Sequence, residues 1–227
     1  MLCLYLQAPF AAFRTFTGGS FRPTASFITP SAAYGLLLNA AGIEMRDVDE
    51  NAPMTLIKRD LPQVKLALAA LEWPGHHSVF QQLHNYPIGS SGKEHAPKTK
   101  GSKYNIIPVR RELLSNIKAY LCMNGNPSLE SRVLDGLAGK RPRDYGLPFL
   151  GDNNFLIDRL EPVKNPLPAF WLERVEEAQE GIRDRITRLT ITIDRADLSR
   201  TVSALFAPCE NRTVDPPSKA WIDIKYS

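Results

Sequence analysis

LCLYLQ, residues 2–7, alternates leucine with other side chains at every second position. Successive side chains of a β-strand point to opposite faces of a sheet, so this alternation predicts a strand with its leucines on one face. The same stretch lacks the basic n-region and the long apolar h-region of a secretory signal. A strand at the start of the chain is therefore the prediction from which the fold is built outward.

The stretch TPSAAYGLLLNAAG at residues 29–42 has the features of a helix with two defined ends. Thr29 can cap the helix with its hydroxyl, and Pro30 suits the first helical position. Gly42 provides the stop. Because the segment is apolar almost all round, we expect a helix that is buried against a sheet.

Strand and helix patterns continue along the chain. A strand is predicted in 63–73, and two long arms at 77–87 and 103–123 enclose a Gly/Ser/Lys-rich stretch, which indicates an extended β-hairpin with a basic tip. This β-α-β-β pattern with further strands predicts an α+β fold with a mainly antiparallel sheet of the ferredoxin-like or RNA-recognition type. The remaining predicted elements are a short helix at Ser128–Leu137 and strands at 185–193 and 219–226.

An aromatic loop, residues 8–28, separates the first strand from the helix and interleaves five phenylalanines with Arg14 and Arg22. Rings that stack on bases and guanidinium groups that hold phosphates are the combination that binds single-stranded nucleic acid. The alternative is that the rings pin the loop to the core. Since the loop leads into the helix at Thr29, whose first N–H groups attract anions, the arginines predict a phosphate site there. The rings are Phe10, Phe13, Phe16, Phe21 and Phe27.

The positive charge of the chain is concentrated in one segment. The 227 residues carry a net charge of +4, and residues 88–111 alone carry +5, so the remainder is close to neutral. Cations among Gly, Ser and Thr on a protruding tip predict a clamp for a nucleic-acid backbone, since contacts with phosphates release counterions irrespective of base sequence. The alternative is a solvated, mobile loop. The cations are Lys93, Lys98, Lys100, Lys103, Arg110 and Arg111.

Two glycines, Gly146 and Gly151, flank an apolar centre in the stretch YGLPFLGDNN at residues 145–154. Glycines permit a close approach between backbone and ligand, but this spacing matches neither the GxxxxGK(S/T) phosphate loop nor the GxGxxG fingerprint. An ordinary turn is the alternative interpretation of this stretch.

Composition disfavours several classes of protein and site. No apolar stretch reaches the roughly 18 residues that cross a bilayer. The three cysteines, Cys3, Cys122 and Cys209, form no CxxC pair, which argues against a disulfide framework and a cysteine zinc site. We therefore expect a reducing, cytoplasmic setting, with no cofactor and no metal.

The four histidines, His76, His77, His84 and His95, fall within one short window. A metal site would need further ligands on a rigid frame, which the hairpin tip does not offer. Metal-independent cleavage of RNA is the remaining catalytic possibility, since a histidine near a tyrosine or lysine can move the proton of a ribose 2′-hydroxyl. The alternative is a histidine that only forms hydrogen bonds on a strand. The available groups are His84, Tyr86, Lys93 and Tyr34.

Several stretches resemble the fifth family of CRISPR-associated proteins, Cas five, a member of the RAMP superfamily. LQAPFAAF at 6–13, SFRPT at 20–24 and ITPSAAYGLL at 28–37 are similar to the family's N-terminal signature, which is an opening strand, an Arg-bearing loop and a helix that begins at a Thr/Ser-rich turn. VRRELL at 109–114 resembles the segment that returns from the family's protruding hairpin, called the thumb. FLG at 149–151 resembles its glycine-rich loop.

The resemblance implies a single RAMP-type domain over residues 1–227, with a thumb hairpin inserted at about 77–123 and a C-terminal strand region at 161–227. It implies a subunit of a type I Cascade complex that binds the five-prime handle of the CRISPR RNA and caps the backbone filament. The implied partners are the CRISPR RNA, target DNA within the complex, the backbone subunit and the large subunit. No membrane partner is implied.

The resemblance also assigns roles to individual residues. Family members often carry a basic residue after the loop glycine, but this chain has Asp152, which favours a shape or packing role for that loop over phosphate binding. In the I-C subtype the family member itself cuts precursor RNA, and the groups available for this, His84, Tyr34 and Lys93, are scattered along the chain. A non-catalytic binder is therefore the leading hypothesis, and a metal-independent endoribonuclease is the alternative. The implied RNA-binding residues are Arg14, Arg22, Ser31, Lys93, Lys98, Lys100, Lys103, Arg110, Arg111, Gly146 and Gly151.

Overall fold

A computed structural model describes residues 1–15, 20–47, 55–87, 104–142, 146–175 and 185–226 of the chain. In these ranges the helices are α1 (Pro30–Ala40) and α2 (Pro127–Leu137), and Leu198–Arg200 and Ser218–Ala220 form short 3-10 turns. The strands are β1 (Leu2–Ala11), β2 (Phe21–Arg22), β3 (Arg46–Asp47), β4 (Leu56–Ile57), β5 (Val64–Glu72), β6 (Gly75–Pro87), β7 (Tyr104–Asn124), β8 (Arg159–Pro162), β9 (Phe170–Arg174), β10 (Thr187–Thr192), β11 (Val202–Pro208) and β12 (Ile222–Ile224).

Four strands form the centre of the sheet in the order β5-β7-β1-β8, each antiparallel to its neighbours. Helix α1 follows β1 along the chain, and α2 follows β7. Leaving aside the short strands β2, β3, β4 and the hairpin arm β6, the element order is the β-α-β-β-α-β of the ferredoxin-like motif. The predicted α+β fold with a mainly antiparallel sheet is thus confirmed.

Strand β1 is longer than the alternation predicted, because it continues from Gln7 to Ala11. Its leucines Leu2, Leu4 and Leu6 are buried on one face of the sheet in the main core, as expected. Tyr5 packs on the other face, against a smaller cluster that contains Trp171. The sheet is therefore packed on both faces, and α1 covers the leucine face.

Helix α1 begins as the sequence predicted. The Thr29 hydroxyl accepts a hydrogen bond from the Ala32 N–H at 3.2 Å, and Pro30 is the first helical residue. Leu37 is fully buried in the main core, as expected for a helix that is apolar all round. Helix α2 packs closely against α1, because a side chain at Gly136 would overlap the carbonyl of Ala40.

The predicted hairpin is present, and its second arm belongs to the long strand β7 of 21 residues. The C-terminal half of β7 lies between β1 and β5 in the sheet. Its N-terminal half continues beyond the sheet and pairs with β6 on one edge and with β2 on the other. The hairpin tip, 88–103, lies outside the described residues.

Residues after 160 extend the sheet through β9, β11 and β10, and β12 pairs with β5. The strands predicted at 185–193 and 219–226 are confirmed as β10 and β12. Strands β8, β9 and β11 were not predicted, because they are only four to seven residues long and show no long alternation. Within the described ranges, no helix is long and apolar enough to cross a membrane.

Cys3 and Cys122 lie opposite each other on β1 and β7 and form a disulfide. The spacing of the cysteines argued against a disulfide framework, and it gave no indication of this single pair. Their separation of 119 residues hid the contact, which exists only because the two strands pair. Cys209 is buried, and its Sγ accepts a hydrogen bond from the Trp171 N–H at 3.2 Å.

Candidate nucleic-acid interface

The base of the hairpin is where the aromatic loop and the basic segment meet. The loop carries β2, which pairs in parallel with β7 so that Phe21 lies beside Arg110 and Arg22 beside Arg111. The Arg110 N–H also donates to the carbonyl of Ser20 at 2.7 Å. Two stretches that were predicted separately are thereby joined into one surface.

Arg110 is the exposed cation of this surface. Its Nε donates to the Ser78 hydroxyl at 2.7 Å, and its guanidinium carbon lies 5.8 Å from the centroid of the Phe21 ring. Phe80 is the cross-strand neighbour of Arg110 on β6, and its side chain is 81% exposed. Directly opposed residues share a face of the strand pair, so Arg110 is flanked by two rings. An exposed guanidinium between rings suits a phosphate and an adjacent base.

Phe21, Phe80 and Arg110 make up what we call the hairpin-base surface. Arg22 follows Phe21 on β2 and pairs with Arg111, so it faces the opposite side of the strand pair. The side chain of Arg22 is partly buried, and its Nε is buried with no hydrogen-bond partner among the described residues. Buried polar groups are nearly always bonded, so an unsatisfied donor of this kind needs an explanation. Among the described residues, part of the hydrogen-bonding capacity of this guanidinium is therefore unused.

Arg111 differs from Arg110 because its charge is already matched within the chain. It forms an ion pair with Asp152, and both side chains are almost enclosed. Its guanidinium carbon also lies 5.1 Å from the centroid of the Phe155 ring. An arginine held in this way contributes little net charge to the surface, so the geometry favours a packing role for Arg111.

Asp152 is held ionised by its surroundings. Burial alone would raise the pKa of this carboxyl group, but the Asn154 N–H and the cations Arg111 and Arg14 together keep the pKa below its usual range. The Asn154 N–H donates to Asp152 at 3.0 Å. Arg14 is exposed and close enough to contribute to this effect. The interpretation of Asp152 as a packing residue agrees with these contacts.

The loop at 149–156 approaches the first strand closely at Gly151. This glycine has a φ of 77°, and a side chain there would overlap the carbonyl of Ala12. The Ala12 N–H donates to the carbonyl of Leu150 at 3.1 Å. Gly146 is different, because a Cβ there would meet only open space, and its carbonyl accepts a hydrogen bond from Asn39 at 3.2 Å. The backbone thus requires a glycine at 151 and not at 146.

The start of α1 offers little surface to a ligand. Ser31 is buried, and its hydroxyl lies 3.0 Å from that of Thr29. The contacts described for Arg14 and Arg22 are with the hairpin, Thr24 and Asp152 rather than with this helix end. The RNA contact predicted for Ser31 would require the helix start to open.

The phenylalanines of the aromatic loop divide into two groups. Phe13 and Phe27 are buried in the main core, as the alternative interpretation held. Phe10 is 45% exposed and Phe21 is partly exposed, so these two rings face outward. Phe16 lies outside the described residues. Both interpretations therefore apply, each to different rings.

The histidines do not form a catalytic cluster in the described part of the chain. His76 lies 3.5 Å from the Glu112 carboxylate, and His77 lies 2.7 Å from the Ser115 hydroxyl. Neighbouring residues of a strand face opposite sides, so these two pairs are on opposite faces of the hairpin. No group of three potential metal ligands occurs among the described residues.

Tyr34 is fully buried and donates from its hydroxyl to the carbonyl of Pro62 at 2.6 Å. Burial, with the nearby Tyr226, raises the pKa of this tyrosine far above its usual value. The structure thus keeps the Tyr34 hydroxyl away from any RNA. The Lys93, His84, Lys98, Lys100 and Lys103 side chains lie outside the described residues, so their predicted roles stay predictions.

Two residues at the base of the hairpin, Phe80 and Ser78, were not predicted from the sequence. Both lie in the stretch HHSVFQQ of the first arm, where Ser78 and Phe80 alternate with Val79 and Gln81. A phenylalanine in the largely polar stretch HHSVFQQ was the signal that could have indicated them.

The ferredoxin-like core and the long hairpin define an α+β protein. At the base of its hairpin it carries arginines and rings, the combination that suits single-stranded nucleic acid. A family model described as CRISPR-associated protein (Cas_Cas5) matches residues 1–136, which is more than half of the chain. The chain therefore belongs to this CRISPR-associated Cas5 family, as the resemblance indicated.

Two solved structures are similar to the chain. One, described as a CRISPR RNA-guided surveillance complex, has a TM-score of 0.56 at 16% identity and covers 96% of this chain and 95% of its own. Another, described as a crystal structure of a Cas protein, has a TM-score of 0.49 at 16% identity, with 95% and 99% covered. At this identity, the first match shows the fold alone. Among proteins with curated functions, the sequence has no significant match.

Proposed function

We propose that the chain is a non-catalytic RNA-binding subunit of a type I Cascade complex, which holds the five-prime handle of the CRISPR RNA and caps one end of the backbone filament. The observation that carries this proposal is the hairpin-base surface, where exposed Arg110 lies between the rings of Phe21 and Phe80.

This surface suits a single strand for a physical reason. Base–aromatic stacking and contacts between arginines and phosphates together bind unpaired nucleotides with little dependence on base sequence. Arg110 lies against Phe21 and is hydrogen-bonded to Ser78, so its guanidinium is held in place before a ligand arrives. Arg111, next along the strand, is already paired with Asp152, so of these two arginines Arg110 is the one whose charge is available to a phosphate.

Membership of the Cas5 family supports assignment to a CRISPR RNA-guided complex, and a solved complex of that description contains a chain of the same fold. The partners in the proposal are the CRISPR RNA, the backbone subunit, the large subunit and target DNA within the complex. The RAMP superfamily, a single domain over residues 1–227 and a cytoplasmic location belong to the same proposal.

The role of the hairpin tip can be tested by changing Lys98, Lys100 and Lys103 to alanine. For single strands the logarithmic salt slope falls by about 0.7 for each phosphate that the protein no longer neutralises, so we expect a slope smaller by about 2 and an affinity about tenfold lower. The measurement is fluorescence anisotropy with handle RNA over a range of salt concentrations.

A matched control for the tip replaces three exposed lysines elsewhere, Lys164, Lys219 and Lys225, with alanine. This variant removes the same charge and should keep the salt slope of the wild type. If both triple variants change the slope equally, the tip has no particular role in binding RNA.

The absence of catalysis in the proposal is supported by Tyr34, whose hydroxyl is buried and bonded to a carbonyl. Incubation of the purified protein with its precursor repeat RNA in chelator should leave the RNA intact. Site-specific cutting that disappears in His84→Ala and with a 2′-deoxy substrate would instead identify the endoribonuclease.

A further inference from the structure

A stacked row of four side chains lies where the hairpin leaves the sheet. The guanidinium carbon of Arg185 is 5.2 Å from the ring centroid of Trp73, and that ring stacks on Phe170 with centroids 6.2 Å apart. The guanidinium carbon of Arg212 lies 4.8 Å from the centroid of Phe170. The row therefore reads cation, ring, ring, cation, and both of its arginines are exposed.

The row and the hairpin-base surface are linked along one face of the chain. Strand β2 contacts Arg110 through Phe21. The segment between β2 and α1 contacts Glu112 through the Thr24 N–H and Trp73 through Phe27. Phe80 and Trp73 are seven residues apart along the hairpin arm and its connection, which corresponds to about 23 Å of extended chain. The two surfaces therefore lie within about 23 Å of each other on the same face, and we call the face between them the track.

The arginines of the row have N–H groups that are available to a phosphate. A guanidinium lying on a ring keeps its N–H donors at the edge of its plane, where they remain available for bidentate contact. In the described part of the chain, neither Arg185 nor Arg212 forms an ion pair, and Arg212 makes one long hydrogen bond, 3.4 Å, to the carbonyl of Leu71. The nearby carboxylate of Glu72 is bound by Lys118 at 2.9 Å, and Arg212 is close enough to contribute, after Lys118 and Asn116, to keeping the pKa of Glu72 below its usual value.

We propose that the stacked row is a second contact surface for single-stranded nucleic acid, with Arg185 and Arg212 holding phosphates of nucleotides that run on from the hairpin-base surface. The class of ligand rests on the proposed function, but the row shares no residue with the hairpin-base surface. Nucleic acid is favoured over an acidic protein segment because the row continues a track that combines arginines and rings at both ends.

The experiment compares two RNAs, the handle alone and the handle extended by about ten nucleotides, which is within the range of known single-strand sites. The variant is Arg185→Gln with Arg212→Gln. We expect its affinity for the extended RNA to fall about tenfold and its salt slope to fall by about 1.4, while its affinity for the handle alone changes less than about twofold.

The matched control is Arg59→Gln with Arg195→Gln, which removes two exposed arginines elsewhere. Arg195 also makes a single long hydrogen bond, 3.4 Å, to the carbonyl of Thr55. This control should bind both RNAs like the wild type. Thermal melting of both variants measures stability separately from binding.

The outcomes separate this inference from the proposed function. The inference is overturned if the wild type binds the extended RNA no more tightly than the handle alone. It is also overturned if the extension raises the affinity of the Arg185/Arg212 variant as much as that of the wild type, because the stacked row is then only a structural feature. If the wild type does not prefer the handle over unrelated RNA, but the row variant still weakens binding of any long single strand, the proposed function fails and the inference stands.

Discussion

Replacing Arg110 with glutamate is expected to weaken binding of the handle RNA by about 50-fold. Hydrogen bonds to charged groups contribute about 1.5–3 kcal/mol each, and about 1.4 kcal/mol corresponds to a factor of ten in affinity. The substitution removes the phosphate contact and places a negative charge between Phe21 and Phe80, where the proposal puts the RNA backbone. Anisotropy titrations at one salt concentration measure the change.

Arg188→Glu is the matched control for this experiment. Arg188 is also an exposed arginine on a strand, and its guanidinium also reaches a serine hydroxyl, that of Ser203 at 3.5 Å. The control makes the same change of charge, so a reduced affinity shared by both variants would reflect net charge alone. Equal binding by wild type and Arg110→Glu would remove the main support for the proposed function.

The parts of the fold that were predictable are those whose signal is local. The cap at Thr29 and the apolar run after Pro30 fix α1 without reference to the rest of the chain. The hairpin arms could be predicted because a long polar tip between two extended stretches leaves few other arrangements. The β-α-β-β order then determined the fold class, although β6 begins two residues earlier than predicted, at Gly75.

The parts that could not be predicted depend on contacts between distant residues. Strand β2 is two residues long and exists only because Arg110 and Arg111 of β7 lie beside it. The disulfide of Cys3 and Cys122 likewise needs the register of β1 against β7. Nothing local in either stretch carries this information.

In the candidate site, the sequence likewise did not show which arginines are already paired with an acidic residue. Arg110 and Arg111 are adjacent and identical in the sequence, and both were predicted to bind RNA. The structure separates them, because Arg111 meets Asp152 while Arg110 meets Ser78 and two rings. Asp152 is recognisable in the sequence as a departure from the family, but its partner could be identified only once the loop and the strand were placed together.

Gly151→Ala is expected to destabilise the protein by about 3 kcal/mol, because the substitution combines two costs. A residue with a side chain is strained at a φ of 77°, and its Cβ would also overlap the carbonyl of Ala12. For a chain of this size the change corresponds to a fall in Tm of about 6–12 °C, which thermal unfolding followed by circular dichroism measures.

Gly146→Ala is the control, since a Cβ at Gly146 meets open space and this residue has no positive φ. Its Tm should stay close to that of the wild type. A Tm equal to that of Gly146→Ala would mean that the loop at 149–156 does not lie against the first strand in solution, and the account of Asp152 as a packing residue would fail with it.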